Sequence, residues 1–366
     1  MELLGKSKDE LREFCAALGE PAYRGGQIYH ALYSERHFDV AQITNLPATL
    51  RERLAKEARI TLPEVKQRYT SSDGSVRYLY ALPPGDNKET ARPASVEAVF
   101  MPSEGRQTIC ISTQAGCAVD CHFCLTAQLG LIRNLTAGEI LAQVLLPLEE
   151  HKAELTPPFE AQGKQTNIVL MGQGEPLLNY EPVMAAVRIL LDPEGIGISP
   201  KHVTLSTSGI VPGIERLAQE KVRPKLAISL NASNDEQRDA IMPINKKYPL
   251  SALIAACKEY PLRTWEHLTF EYVMLGGVND TPEDALRVVR LLAPLKSVKV
   301  NLIPWNPGEL PYQESPPERI EEFRRILVER GVPTFVRYSR GRDVMAACGQ
   351  LALLQVANAP VSLPRL

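Results

Sequence analysis

The segment Cys117-Ala-Val-Asp-Cys121-His-Phe-Cys124 carries three cysteines, separated by three and then two residues. Thiolates are the standard ligands of iron–sulfur clusters, and a set this tight can hold one. A 4Fe-4S cluster used only for electron transfer takes four cysteines, so three leave one iron with an open position. An open position can bind a substrate, as the vacant position of a catalytic zinc does. The same spacing also fits a zinc site with a distant fourth ligand, or thiols buried without metal. Cys110 lies just upstream, so four of the chain's 7 cysteines fall together. Cys15 and Cys257 sit inside amphipathic helical patterns and read as core. Cys348, in MAACGQ near the C-terminus, follows Arg337, Arg340 and Arg342, and that positive charge is expected to favour its thiolate.

Around these thiols the elements alternate. Short apolar runs occur at TICIST (108–113), NIVLM (167–171), HVTLS (202–206), KLAIS (225–229), LTFEYV (268–273) and KVNLI (299–303). Helical patterns such as TAGEILAQVLLPL, YEPVMAAVRILL and PEDALRVVRLL separate them. Strands alternating with helices imply βαβ units and a parallel sheet. Six such units predict an α/β fold, a partial (β/α)6 barrel, whose site forms at the C-terminal ends of the strands. The three-cysteine loop follows the first of those strands. A last strand, TFVRY (334–338), leads toward Cys348 and a short terminal helix.

Ahead of the barrel the pattern differs. Residues 1 to about 60 read as amphipathic helices, and 65–82 as a hairpin around a Ser-Asp-Gly turn. Residues 83–95 have linker composition. The expected organisation is a small helical N-terminal accessory domain with the hairpin (1–90), a barrel (91–342) and a C-terminal extension (343–366). Glu97, in SVEAVFM, shares a strand face with Val99 and Met101. Burial there would raise its pKa and suit it to general-base work, whereas an edge-strand surface position would not.

The 366-residue length is about twice that of a usual domain. With 44% hydrophobic and 23% charged residues the composition is globular, which excludes disorder, collagen and coiled coil. No apolar run reaches the roughly 20 residues of a membrane helix. The charged start MELLGKSKDELREF has no signal-peptide core, so a soluble cytoplasmic protein without a disulfide framework is expected. The net charge of −2 is not that of a protein gripping nucleic acid over its whole surface, although a local basic groove suffices for RNA.

Several segments together are more specific than the cysteine spacing. QAGCAVDCHFCLTAQLG, NIVLMGQGEPLLNY, VTLSTSGIVPGI, LAISLNASNDEQRDAIMPINKKYPL, FEYVMLGGVND, VNLIPWNP and RGRDVMAACGQL resemble the radical S-adenosylmethionine (SAM) superfamily. Within it they resemble the RlmN/Cfr group of RNA adenine methyltransferases. LREFCAALGEPAYRGGQIYHALY is similar to that group's accessory domain, so the likeness spans nearly the whole chain.

That resemblance implies a radical-SAM barrel with a 4Fe-4S cluster on Cys117, Cys121 and Cys124, its open iron chelating SAM. Gly174 and Glu175 would receive the methionine amino group. Ser206, Ser229, Leu230, Asn231 and Asn306 would contact ribose and adenine, with Phe123 beside the adenine. Asn231 stands where the group often has His, which weakens that contact. Each of these is also an ordinary cap or turn former, and only their joint placement on one rim favours a ligand.

The resemblance further makes Cys348 the methyl carrier, Cys110 a second catalytic thiol and Glu97 a proton acceptor. Two SAM molecules would be used, one to methylate Cys348 and one to generate a radical at that methyl group. Addition to the adenine would tether RNA to protein, and attack by Cys110 would release it, leaving a transient disulfide. The implied partners are 23S rRNA, tRNA and an electron donor such as a flavodoxin system, acting on a monomer. Arg133, Lys246, Lys247 and the arginines before Cys348 are candidate RNA contacts, with solvated surface charge as the competing reading of each. The resemblance leans to methylation of carbon 2 of an adenine in 23S rRNA and of an anticodon-adjacent adenine in tRNAs, with methylation at carbon 8 or a non-catalytic iron–sulfur RNA-binding relative as the alternatives.

Overall fold

The computed structural model of the protein describes residues 1–85, 91–152 and 165–353. Part of the expected linker (86–90) and the end of the expected extension (354–366), with its terminal helix, lie outside the described residues. Twelve strands are present among them: β1 (Glu64–Thr70), β2 (Val76–Leu82), β3 (Ala94–Ser103), β4 (Arg106–Cys110), β5 (Gln114–Gly116), β6 (Leu131–Asn134), β7 (Gln165–Leu170), β8 (Val203–Thr207), β9 (Lys225–Ser229), β10 (Leu268–Met274), β11 (Val298–Pro304) and β12 (Thr334–Val336).

Ten of them form one sheet in the order β1-β2-β3-β4-β7-β8-β9-β10-β11-β12. From β4 through β12 every pairing is parallel, and β1 to β4 pair antiparallel. The six predicted barrel strands are β4 and β7 to β11, neighbours in chain order, each followed by a connection back across the sheet. Their apolar runs are continuous because helices cover the outer face while the inner face points into the barrel. Helix starts are chemically marked. Thr136 and Glu139 form a capping box before the helix Ala137–Glu150, and Thr281 with Asp284 does so before Pro282–Leu292. The β5–β6 ribbon, which periodicity did not reveal, flanks the cysteine loop.

The hairpin lies elsewhere than expected. β2 pairs with β3 from Leu82↔Ala94 to Val76↔Phe100, so the hairpin continues the barrel sheet across the predicted boundary at 90. The helices Lys8–Ala17, Tyr23–Tyr33 and Ala48–Glu57 share one hydrophobic core with the barrel, through residues such as Leu11, Ile28 and Leu54. Tyr29 Oη donates to Asp192 Oδ2 at 2.8 Å, which fixes these helices to the loop after Tyr180–Leu191.

Candidate active site

The cysteine loop is shaped by its backbone. Asp120, between the first two cysteines, has φ 59°, a left-handed conformation that Asp tolerates better than most residues. Gly116, just before Cys117, has φ 74°, and a Cβ there would lie 1.8 Å from the Gly130 carbonyl oxygen. Only glycine lets β5 pass this close to the strand that returns. Cys124 N donates to Cys121 O at 3.0 Å, and the short helix Leu125–Gln128 begins directly after.

All three thiols line one cavity with Phe123, Gly174, Glu175, Ser206, Ser229, Asn231, Glu271, Asn306 and Cys348. Burial pushes Cys117 up to about 12 and raises Cys121 and Cys124 as well. Bare thiols here stay protonated, and a bound cationic centre would favour their thiolates. Among the described residues no three His, Cys, Asp or Glu side chains close on a single metal ion. Three thiols spread around a cavity suit a multi-iron cluster, and the donor set fits it.

The expected SAM rim divides into groups that face the cavity and groups that brace it. Gly174 has φ 95°, and a Cβ would meet Gln114 at 2.5 Å, so the backbone here packs against β5 as only glycine can. Glu175 is buried, and its carboxylate is engaged. Oε2 accepts from Ser208 N (2.7 Å) and Ser208 Oγ (2.8 Å), and Oε1 accepts from Leu177 N (3.0 Å). Burial raises its pKa against those bonds. Ser206 Oγ and Ser229 Oγ stand 3.4 Å apart on adjacent strand ends. Asn231 holds β10, accepting from Val273 N at 2.8 Å, and its amide is directed at the Met242 sulfur. Leu230 is 0% exposed, with its N–H on Glu271 O, so its side chain belongs to the core and not to the cavity wall. Asn306 Nδ2 donates to Cys348 O at 3.0 Å and to Ser339 Oγ at 2.9 Å.

Cys348 stands where two cavities meet. The second contains Cys110, Met171, Arg106, Arg337, Tyr338 and Arg340. Cys110 ends β4 and packs with Tyr69, Val99, Val344 and Leu351. All seven cysteines are free. The Cys348 segment is strapped across the barrel mouth. Gly349 O accepts from Leu125 N (2.8 Å), Leu351 O from Thr126 Oγ1 (2.6 Å), and Gln350 Nε2 donates to Pro307 O (2.8 Å). The turn between β1 and β2 clamps its start, with Asp343 accepting from Ser71 Oγ (2.6 Å) and Ser72 N (2.9 Å).

The expected thiolate at Cys348 is not what the structure supports. Its side chain is open to the cavity yet surrounded by protein, and burial, then the Glu271 carboxylate, push the thiol up to about 11. The arginines expected to offset this are engaged by other partners. Arg340 pairs with Asp73 (3.4 Å), Arg342 with Glu314 (2.9 Å), and Arg337 bonds Asn301 Oδ1 (3.2 Å). Arg133 is likewise buried and paired with Glu139 (2.6 Å), which removes it from any surface contact.

Glu97 is 1% exposed and its pKa is raised by burial, opposed by Arg77. It does not line either cavity. Oε1 accepts from Arg77 Nη1 at 2.7 Å, and Oε2 accepts from Leu353 N at 3.0 Å and Gln173 Nε2 at 3.4 Å. The Arg77 guanidinium lies 4.1 Å from the Tyr69 ring centroid. Sequence reasoning missed Arg77, Glu271 and Arg238. The first two carried a signal, a charged residue inside an apolar strand, where burial requires a partner. Arg238 carried none in DEQRDAIM, although its guanidinium bonds the carbonyls of Ser208 (2.6 Å), Ser229 (3.1 Å) and Leu230 (3.0 Å) beneath the rim.

Residues 111–292 match the model of the radical SAM superfamily, and residues 1–60 match that of the ribosomal RNA large subunit methyltransferase N-terminal domain. A probable dual-specificity RNA methyltransferase RlmN from Koribacter versatilis is 48% identical over 91% of this chain and 96% of its own length. The chain belongs to the RlmN family. The dual-specificity RNA methyltransferase RlmN from Anaeromyxobacter dehalogenans is 45% identical over 96% of this chain and 91% of its own length. A crystal structure of a radical SAM methyltransferase from Sphaerobacter thermophilus superposes with a TM-score of 0.86 at 44% identity, covering 96% of this chain and 99% of that one. As an RlmN-family member the protein is a radical SAM RNA methyltransferase, which sets aside the non-catalytic alternative. Among the described residues no helix is long and apolar enough to cross a membrane.

Proposed function

We propose that this protein methylates carbon 2 of an adenine in 23S rRNA and of an anticodon-adjacent adenine in tRNAs, through S-methylated Cys348. The observation that carries the reading is the position of Cys348, which lines the cavity of the three cluster cysteines and also the cavity of Cys110. Cys117, Cys121 and Cys124 would hold a 4Fe-4S cluster, and the rim of Gly174, Ser206, Ser229 and Asn306 would hold SAM. When bound, these groups supply an electrophilic methyl group and a reductively generated carbon radical.

The chain's own residues account for the rest. Cys348 accepts the methyl group on its sulfur, and so must lose its thiol proton. Cys110, buried at the far wall, is the thiol that later attacks the Cys348 sulfur and frees the methylated base. Glu97 sits beneath Gln173 and the Cys348 segment, where a carboxyl with a raised pKa can take up a proton. The dual-specificity names of the relatives support more than one RNA substrate, and the N-terminal match to a ribosomal RNA large subunit methyltransferase domain supports rRNA as one of them.

Anaerobic reconstitution with iron, sulfide, SAM, a reductant and an rRNA fragment tests this. Digestion should yield 2-methyladenosine. Recovery of 8-methyladenosine would replace the carbon-2 assignment with the sister activity.

A further inference from the structure

We propose that the outer rim of the second cavity, formed by Tyr338, Arg337 and Arg106 with Phe335 beside Arg337 on the edge strand β12, is a platform that stacks and neutralises the single-stranded nucleotides flanking the target adenine. The proposal rests on the RNA-methyltransferase reading and adds how that RNA is gripped.

Aromatic exposure is the first observation. Tyr338 is 65% exposed and Phe335 47%, on and just beyond the edge strand β12. Tyr338 also lines the cavity that ends at Cys110 and Cys348, so one aromatic plane stands at the entrance to the two thiols. Phe335 and Arg337 lie two residues apart, and the guanidinium sits 5.4 Å from the ring centroid. A planar aromatic and a planar cation thus share one surface.

Charge is the second. Arg106 is exposed, and among the described residues it makes no ion pair. Arg337 donates to the neutral Asn301 amide oxygen, and the buried Glu271 carboxylate, which Asn301 also bonds, offsets only part of its charge. Burial, and then repulsion from Arg337, lower the pKa of Lys299 against the opposing Glu271 carboxylate. The arginines chosen from sequence, Arg340 and Arg342, are by contrast already paired with Asp73 and Glu314. Positive charge at this mouth is therefore left for an anionic partner.

These features select the partner. A base can reach a buried thiol only by leaving its stack, which strips its neighbours of a stacking partner. An exposed aromatic replaces that partner for any base, and adjacent guanidinium groups meet the phosphates. Duplex RNA offers no free base faces to this surface.

The test uses cluster-loaded protein and an RNA stem-loop with adenine in its loop, compared with a fully paired duplex of the same composition. Tyr338→Ala should weaken stem-loop binding about tenfold, with an unchanged slope of log affinity against log salt. Tyr338→Phe should keep wild-type affinity. Arg106→Gln should lower that slope by about 0.7. The proposal is overturned if Tyr338→Ala binds the stem-loop as wild type does, if Tyr338→Phe is as weak as Tyr338→Ala, or if the duplex binds equally well. Wild-type protein that neither binds nor methylates the stem-loop would sink the functional reading as well. Wild type that methylates it while Tyr338→Ala binds it equally well removes only the platform.

Discussion

Asn306 Nδ2 donates to the Cys348 carbonyl oxygen at 3.0 Å, tying the end of β11 to the segment that carries the exposed thiol. A residue first read as a ribose or adenine contact is thus also a brace for Cys348. The same amide holds Ser339 Oγ at 2.9 Å, so one side chain pins both ends of the loop running from β12 to Cys348. Removing it frees the loop without touching a thiol. Asn306→Ala should lose two hydrogen bonds of about 1 kcal/mol each and speed alkylation of Cys348 about tenfold or more. Rates of iodoacetamide labelling followed by mass spectrometry measure this. An unchanged rate would mean that the other straps hold Cys348 unaided.

The two thiols at the second cavity are not interchangeable. Cys348→Ala should form neither S-methylated protein nor an RNA adduct. Cys110→Ala should still methylate Cys348 and begin the reaction, then remain covalently joined to its RNA. A denaturing gel should show a protein–RNA conjugate for Cys110→Ala alone. Methylated RNA from Cys348→Ala protein would overturn the role given to Cys348.

Alanine at Cys117, Cys121 and Cys124 together should abolish iron binding and the visible absorption of anaerobic protein. Elemental analysis of the unsubstituted protein provides the complementary check. Stoichiometric zinc in place of iron there contradicts the cluster assignment.

Arg77 and Glu97 form a buried ion pair, and such pairs are costly to break from one side. Arg77→Met should destabilise by about 3 to 5 kcal/mol, because it strands a buried carboxylate. Adding Glu97→Gln should recover much of that loss. Chemical denaturation of the wild type, both single variants and the double variant measures the coupling. Additive losses would show that the two residues do not act as a pair.

Glu271 yields a pH dependence. Burial raises its pKa above the ordinary carboxyl value of 4.5, against the Asn301 hydrogen bond. The folded state therefore holds this proton more tightly than the unfolded chain does. The associated stability is present below 4.5 and is lost as pH rises through the folded value. Glu271→Gln, which is neutral throughout, should lack this loss. The melting temperature of the variant relative to wild type should rise between pH 4.5 and 7.5. A constant difference across that range would mean that Glu271 ionises in the folded protein as it does in the unfolded chain.

The cysteine loop and the parallel strands were legible in the sequence because both are local. Ligand spacing in Cys117 to Cys124 is set within one turn of chain, and each barrel strand announces itself by its own apolar run. The strand-end residues Ser206, Ser229 and Asn306 were singled out by the family resemblance, and a parallel barrel brings such strand ends to one rim. What local pattern could not show was how polar groups far apart in sequence are shared out. Glu175 is consumed by Ser208, Asn231 by Val273, and Arg340 and Arg342 by Asp73 and Glu314. A buried or clustered charge takes whichever partner the fold supplies, and those partners sit on other strands. The same reason moved the β1–β2 hairpin from the accessory domain to the barrel sheet. Its alternation predicts a hairpin, but only the ladder from Val76 to Leu82 against β3 decides which sheet it extends, and so brings its turn onto the Cys348 segment.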